Sequence, residues 1–522
     1  MSASRSRRRS RSRPPDVIQK PAGTIHPRVQ KVGPEHFGIV SVDCAKARSK
    51  WMLADFFGNV LIPPTDLEHN RPAFEQAIAQ LREAITRHDL RDLLVAVERT
   101  GRLHHAPKRA FAAAGFDTRI VHPFTTKRFR QSDEADTKTD DIDVVAIHRA
   151  AVNGFALLEQ PLDDFWRTLQ LVIRHRRDLV RKMALLCCQI REHLEAAYPG
   201  LAARFSKFWE SGTPWHLLRH YASAQELLAA GKQRLCDGLH QARIQFHRRT
   251  IDEVLDWAAQ AAEPDLAAAE HRRRALALDD DRVRKTLEIK AIERDIAGRL
   301  VQTPYVLLLS IPGINVVSSA DFAGEAGPMT NYNSHRALNG RSGLCPGRYQ
   351  SDKVDITGPL RKRCNRRLRA VLMTIADNLI QCNHHFNALA QQWRQQGKDP
   401  RASRVKVASR FTRIAYQMVA GQQVFHHPSV QGRDYILHKL NVFHQEHQTP
   451  ITEQLRDLQA AIGQVPRAEY AAEARPLSEE LARIEAGRRH GPQPLGDILP
   501  IVLARLGVGR VESTESGAGD LR

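Results

Sequence analysis

The chain has 522 residues, 42% of them hydrophobic, and carries 78 Lys and Arg against 58 Asp and Glu, a formal charge of +20. That length allows two to four domains with true cores, and so large a positive excess points to a polyanionic partner, nucleic acid first. No apolar run is long enough to cross a bilayer, which excludes a membrane-spanning helix, and no secretory pattern follows Met1, so a cytoplasmic, nucleoid-associated protein is expected.

Residues 1–35 open with SRSRRRSRSRPP, a charged, apolar-poor stretch that predicts a disordered basic tail. Such a tail either adds non-specific phosphate contacts or is simply solvated. Residues 36–157 then read as α/β. FGIVSVD is a strand, and KWMLADFF and NVLIP are two more around a Gly58-Asn59 turn. Phe74 to Ile85 has helical spacing, LLVAVE is a nearly all-apolar central strand, Leu103 to Ala114 is a helix, TRIVHP a fifth strand, and Thr139 to Val152 a helix. Three strands followed by helix–strand–helix–strand–helix is the order of an RNase H-like, or RuvC-like, fold.

Residues 158–300 predict an α-helical coiled-coil arm acting as spacer and dimer seam, with an apolar stripe through Leu169, Ile173, Val180, Met183, Ile190 and Leu194 that Ile292, Ile296 and Leu300 continue. Arg174, Arg176, Arg177, Arg181 and Lys182 on that arm are candidates to follow a phosphate backbone. Residues 301–430 form a mainly α unit. Within it, LLLSIPGINVVSSADFAGE predicts a helix–hairpin–helix-like element whose turn would hold a phosphate. The stretch from Asn339 to Ile356 is rich in Gly, Pro and Ser and predicts loop. After it comes a helix whose start carries Arg361, Lys362, Arg363, Arg366, Arg367 and Arg369 with no interrupting acid. Residues 431–510 predict a further amphipathic helical extension and 511–522 a disordered tail. Seven cysteines without paired spacing predict reduced, mostly buried thiols, and Cys382 near His384 and His385 matches no zinc spacing.

Four acids carry the chemistry. Asp43 and Glu98 end two predicted buried strands, and Asp140 and Asp143 stand three apart on one helix face. Clustered carboxylates repel unless cations sit among them, and hard oxygen ligands suit Mg²⁺ or Mn²⁺, the usual apparatus of phosphodiester chemistry. Singly, each acid reads as a strand-end or capping residue, and Asp133, Glu134 and Asp136 compete as ligands.

Taken in order, VSVDCAK, VAVERTG, KTDDIDVVAIHR, LLLSIPGI and SGLCPGRYQSDK…GPLRKRCNRRLR resemble the insertion-sequence transposases that pair an Asp-Glu-Asp-Asp RuvC-like domain with a C-terminal serine transposase domain, relatives of the Piv-type DNA invertases. The resemblance implies a DNA transposase or site-specific recombinase in which Asp43, Glu98, Asp140 and Asp143 bind divalent metal. It implies a serine nucleophile in a Gln-Ser-Gly segment, here Gln350-Ser351-Asp352, so Ser351 is the candidate and Asp352 departs from the pattern; Ser342 and Ser334 are competitors. It further implies donor and target DNA, a structured non-coding guide RNA, and a homo-oligomer as partners. Arg348, Lys353 and the run Arg361, Lys362, Arg363, Arg366, Arg367 and Arg369 are the nucleic-acid-binding candidates. Two other readings fit the same acids: a RuvC-like structure-specific nuclease using water, and an inactive nucleic-acid-binding scaffold.

Overall fold

The computed structural model describes residues 23–130, 139–159, 162–351, 354–425 and 436–465, which fall into two compact units, 1–161 and 162–522. The first unit is a mixed α/β sheet domain. Its elements are α1 (His26–Val32), β1 (Phe37–Cys44), β2 (Arg48–Asp55), β3 (Val60–Glu68), α2 (Arg71–Arg87), β4 (Asp92–Glu98), α3 (His105–Ala113), β5 (Asp117–Val121), α4 (Pro123–Arg130) and α5 (Asp140–Val152). The sheet order is β3-β2-β1-β4-β5, with β2 antiparallel to both neighbours and β1, β4 and β5 mutually parallel. This topology is consistent with an RNase H-like fold.

Strand alternation assigns the two faces. Val40, Val42, Val95 and Val97 pack with Leu81 of α2 and Phe111 of α3, whereas Phe37, Ile39, Leu94 and Ala96 pack with Ile147, Ala150 and Ala151 of α5. The β2–β3 turn is held as an Asx turn: the Asp55 carboxylate accepts from the Gly58 and Asn59 amides at 2.8 and 2.9 Å. His148 of α5 bonds the Asp55 carbonyl at 2.8 Å, which pins α5 to β2.

Part of the expected N-terminal tail is structured. Ile25 and Val29 are buried, and Arg28 forks onto Asp92 (2.6 Å) and Asp117 (2.5 Å), so residues 23–35 are held by two strand-start carboxylates; residues 1–22 lie outside the described set.

The second unit is helical. Its helices are α6 (Asp164–Ala197), α7 (Gly212–His220), α8 (Ala224–Gln241), α9 (Arg248–Ala259), α10 (Ala268–Leu300), α11 (Val316–Ala326), α12 (His335–Ser342), α13 (Arg366–Cys382), α14 (His384–Gln395), α15 (Pro400–Ala420), α16 (Ile436–Glu446) and α17 (Ile451–Gln464). Helices α6 and α10 are an antiparallel pair. Arg176 meets Glu293 and His193 meets His271, so the numbers rise on one helix as they fall on the other. Leu169, Ile173, Ile296 and Leu300 root the pair in the larger core. At the far end Ile190 and Leu194 join α7–α9 in a separate core rich in aromatic rings, among them Phe205, Phe208, Trp215 and Trp257.

Several expectations change here. The arm ends in its own small helical bundle, because the 201–267 segment supplies enough large rings to bury one. Leu179 is buried where Val180 was expected, and Val180 and Met183 are exposed and half-buried. Arg174 and Arg177 do not follow a backbone groove: they hold Glu325, which is fully buried, and Arg176 holds Glu293. The predicted loop contains a β-hairpin, β6 (Pro346–Ser351) and β7 (Val354–Leu360). Its β-branched and aromatic residues, Tyr349, Val354 and Ile356, face solvent rather than a core, so no buried period marked it. Arg361, Lys362 and Arg363 precede α13, which starts at Arg366 behind an Asn365 cap that accepts from the Arg367 and Leu368 amides.

The Pro-Gly element also differs. Its first half is a buried 3₁₀ helix, Pro304–Ser310. The turn carbonyls are already bonded, Ile311 and Ile314 by Lys439 and Pro312 by Asn383. Helices α16 and α17 pack into the same core as α11–α15, and residues 466–522, with the expected tail, lie outside the described set. All seven cysteines are free, but only Cys44 and Cys236 are buried.

Candidate active site

The acid site grows from register. Val42 of β1 pairs with Val97 of β4, so Asp43 and Glu98 each lie one residue beyond the last pair on adjacent parallel strands. By alternation both belong to the face that α5 covers, and neighbouring strands stand about 4.8 Å apart. Glu98 is buried and Asp43 half-buried. On the opposite face, burial pushes the Cys44 thiol up to about 12, and the charges of Asp43 and Glu98 each add to the rise.

Helix α5 brings the other pair. Its sheet-facing stripe runs Ile147, Asp143, then Asp140 as it approaches its N-terminus. Thr139 caps that end, accepting from the Ile142 amide at 3.2 Å. Carboxylates there also face the positive end of the helix dipole. Asp43 and Asp140 line one cavity of about 180 Å³ with Ala45, Arg48, Ser49, Lys50 and Asp66. Asp143 is buried and paired with Arg130 of α4 at 2.5 Å. Among the described residues no three His, Cys, Asp or Glu side chains stand grouped as a closed metal site. Asp133, Glu134 and Asp136 lie outside the described residues.

Lys50, Asp66 and Arg130 escaped the sequence reading. Lys50 sits opposite Asp43 in the β1–β2 register and opposite Asp66 in the β2–β3 register, so the three form a row across the sheet. Its ammonium is 2.9 Å from Asp66 and 3.5 Å from Asp141. The bond to Asp66 raises the Lys50 pKa above its ordinary value and lowers that of Asp66. Period-2 alternation across KARSKW was the one signal available for Lys50, and it gives a face without a partner.

In the second unit Ser351 is the last residue of β6, exposed and paired in register with Val354; Asp352 and Lys353 between them lie outside the described residues. Arg348 forks onto Asp355 at 2.7 and 2.5 Å across the hairpin. Arg361, Lys362, Arg363, Arg366 and Arg367 are exposed. Arg369 is used internally, donating to the carbonyls of Ser342 (3.0 Å), Gly343 (3.1 Å) and Arg361. Ser342 is buried, while Ser334 flanks α12 as its N-cap.

Known proteins share these two stretches. Residues 40–199, from β1 to just past the end of α6, match the family model of the DEDD transposases of IS110. Residues 305–391 match that of the IS116/IS110/IS902 transposase family. The chain belongs to the IS110 family of insertion-sequence transposases. A relative is the uncharacterized 44.8 kDa protein of insertion element IS116 from Streptomyces clavuligerus, 27% identical over 281 residues that span 52% of this chain and 69% of that protein. The transposase is thus an enzyme of DNA recombination, and the second match contains the hairpin, Ser351 and the basic segment. No described helix of the transposase is long and apolar enough to cross a membrane.

Proposed function

We propose that this transposase cuts and rejoins DNA strands through Ser351, with Asp43, Glu98, Asp140 and Asp143 as the divalent-metal ligands. The observation that carries the reading is the meeting of two strand ends and one helix N-terminus, all acidic, on one face of the sheet. Their donor atoms are the hard oxygens that Mg²⁺ or Mn²⁺ prefers. Asp43 and Asp140 share a cavity, whereas Asp143 is paired with Arg130 and would have to release it to join them as a ligand. A bound ion would supply Lewis acidity at a phosphate oxygen.

Rejoining without an energy source requires that the phosphodiester bond be conserved. Ser351 Oγ attacks phosphorus, the new Oγ–P bond replaces P–O3′, and the departing 3′ oxygen takes up the proton. The product is a 5′-phosphoseryl enzyme and a free 3′-hydroxyl, a polarity taken from the resemblance. Ser351 suits the task because it ends an exposed strand. The exposed Arg361, Lys362, Arg363, Arg366 and Arg367 gather at the N-terminus of α13, where the helix dipole also favours an anion; they hold the scissile strand and, with Arg348 and Lys353, nearby nucleic acid. The charge of +20 suits a guide RNA as well as DNA. Exposed Val180, Leu185, Val283 and Leu287 along the arm favour self-association there. The working site is then the nucleoid.

A nicked-substrate reaction, stalled and run on a denaturing gel, tests this. Wild type should leave a protein-linked strand that Ser351→Ala eliminates. Normal recombination by Ser351→Ala would hand the attack to water or another serine. A wild type that is inactive until Asp352→Gly is introduced would mark this copy as decayed.

A further inference from the structure

The first shelf of positive charge lies before and at the start of α13. A second one lies elsewhere in the same unit, mostly outside the stretch shared with the IS116/IS110/IS902 family, which stops at residue 391. Helix α15 contains Arg401, Arg404, Lys406, Arg410 and Arg413 and no acid. Lys406, Arg410 and Arg413 follow one another at spacings of four and three, so they share a face. Like charges so placed destabilise a bare helix. Arg404 is neutralised by Asp377, but among the described residues Arg410 and Arg413 have no ion-pair partner. Lys406 sits 5.2 Å over the Trp393 ring, and Lys398 stands close enough to lower the pKa of its ammonium.

These side chains line a cavity of about 300 Å³ between α12, α14 and α15, closed on the α12 side by His335 and Asn339. Asn339 donates through Nδ2 to Ser409 Oγ at 2.9 Å, while its Oδ1 is buried without a hydrogen-bond partner. A groove with three convergent cations, an indole flank and one unfilled acceptor is built for an anion that also bears a donor. Guanidinium forks match phosphate oxygens, and a sugar hydroxyl or base amine would fill Asn339 Oδ1.

We propose that this groove binds a nucleic-acid strand, its phosphates on Lys406, Arg410 and Arg413 and its sugar or base edge on Asn339. The inference needs only that the transposase handles nucleic acid; it does not depend on Ser351 or the acids. The DNA being recombined and an RNA partner offer the same phosphodiester chemistry, so the test carries both.

The full-length protein is titrated with fluorescent duplex DNA, single-stranded DNA and single-stranded RNA across roughly 50 to 400 mM salt, and the slope of log affinity against log salt is read. The triple variant Lys406→Ala, Arg410→Ala, Arg413→Ala should lower that slope by about two to three for at least one probe, near one unit per lost phosphate. The probe affected names the strand. Arg410→Lys with Arg413→Lys should keep the slope while weakening affinity. If the triple variant melts early, Arg410→Glu with Arg413→Glu replaces it, since both side chains are exposed. Slopes and affinities unchanged for all three probes, in a variant that melts like wild type, overturn the proposal. The titrations read binding alone and the denaturing gel of Ser351→Ala reads strand transfer alone, which separates this groove from the strand-transfer reading.

Discussion

At the residue scale, the most consequential charge in the second unit is Glu325. It is fully buried, yet Arg174 at 3.1 Å, Arg177 at 3.4 Å and Asn365 at 3.4 Å satisfy it. Burial works to raise its pKa, but these partners outweigh burial and hold it below the ordinary value. Removing one member of such a network leaves the others buried and unpaired. Glu325→Gln should therefore cost about 3 kcal/mol, read as a lowered denaturant midpoint. His444 gives the opposite kind of prediction. It is fully buried, and burial pushes its pKa down to about 4 from an ordinary 6.5. Between those values the unfolded chain binds the extra proton, so stability should fall as pH drops through that window. His444→Gln should flatten the pH dependence of the melting temperature there; a curve as steep as wild type would assign the effect elsewhere, His104 being next since its pKa is also pushed down to about 4.

At the element scale, α5 shows what a sequence can convey. Its acids, its Thr139 cap and its apolar stripe are local, so the helix was legible, and strand alternation put Asp43 and Glu98 at strand ends. Arg130 and Lys50 were not legible, because their partners are 13 residues away on another helix and across two strand registers. The hairpin was hidden for another reason: strands that bury neither face carry no hydrophobic period. The proposed metal site is tested at this scale. Asp43→Asn and Asp140→Asn should each abolish Mg²⁺-dependent strand cleavage while leaving the melting profile largely intact; cleavage at wild-type rates in both would move the site. The αL turn after α12 is a second test. Gly343 has φ +68°, and an added Cβ would lie 2.6 Å from Cys364 Cβ and against the Arg369 guanidinium. Gly343→Ala should cost at least about 1 kcal/mol and loosen the Arg369 clasp, so nucleic-acid affinity should fall along with thermal stability.

At the scale of the whole molecule, the chain carries two basic surfaces in its helical unit and an acidic edge in its sheet unit. Composition announced the first, motif order the second. What composition missed is that many arginines are spent inside: Arg28, Arg174, Arg176, Arg177 and Arg369 all hold the protein's own carboxylates or carbonyls. The count of basic residues therefore overstates how many are free to bind, although the net charge of +20 already subtracts the paired carboxylates, and the exposed clusters decide binding. Light scattering should give a dimer or larger species, at least with nucleic acid bound; replacing Leu185 and Leu287 with Glu should shift it toward monomer, and a strict monomer in every state would leave those side chains without a role.

The arm is also a lever. Roughly 30 Å of helix, at 1.5 Å per residue, separates Ile173 in the root core from Leu194 in the tip core. A swing of about ten degrees at the root would sweep the tip through about 5 Å. Glu325 of α11, with Arg174 and Arg177 of α6, ties the arm to the core at that root, so this contact sets the angle at which the arm leaves it. The same residue receives Asn365, the cap of the basic helix, so one buried carboxylate fixes the aim of the lever and the seat of the α13 arginines together.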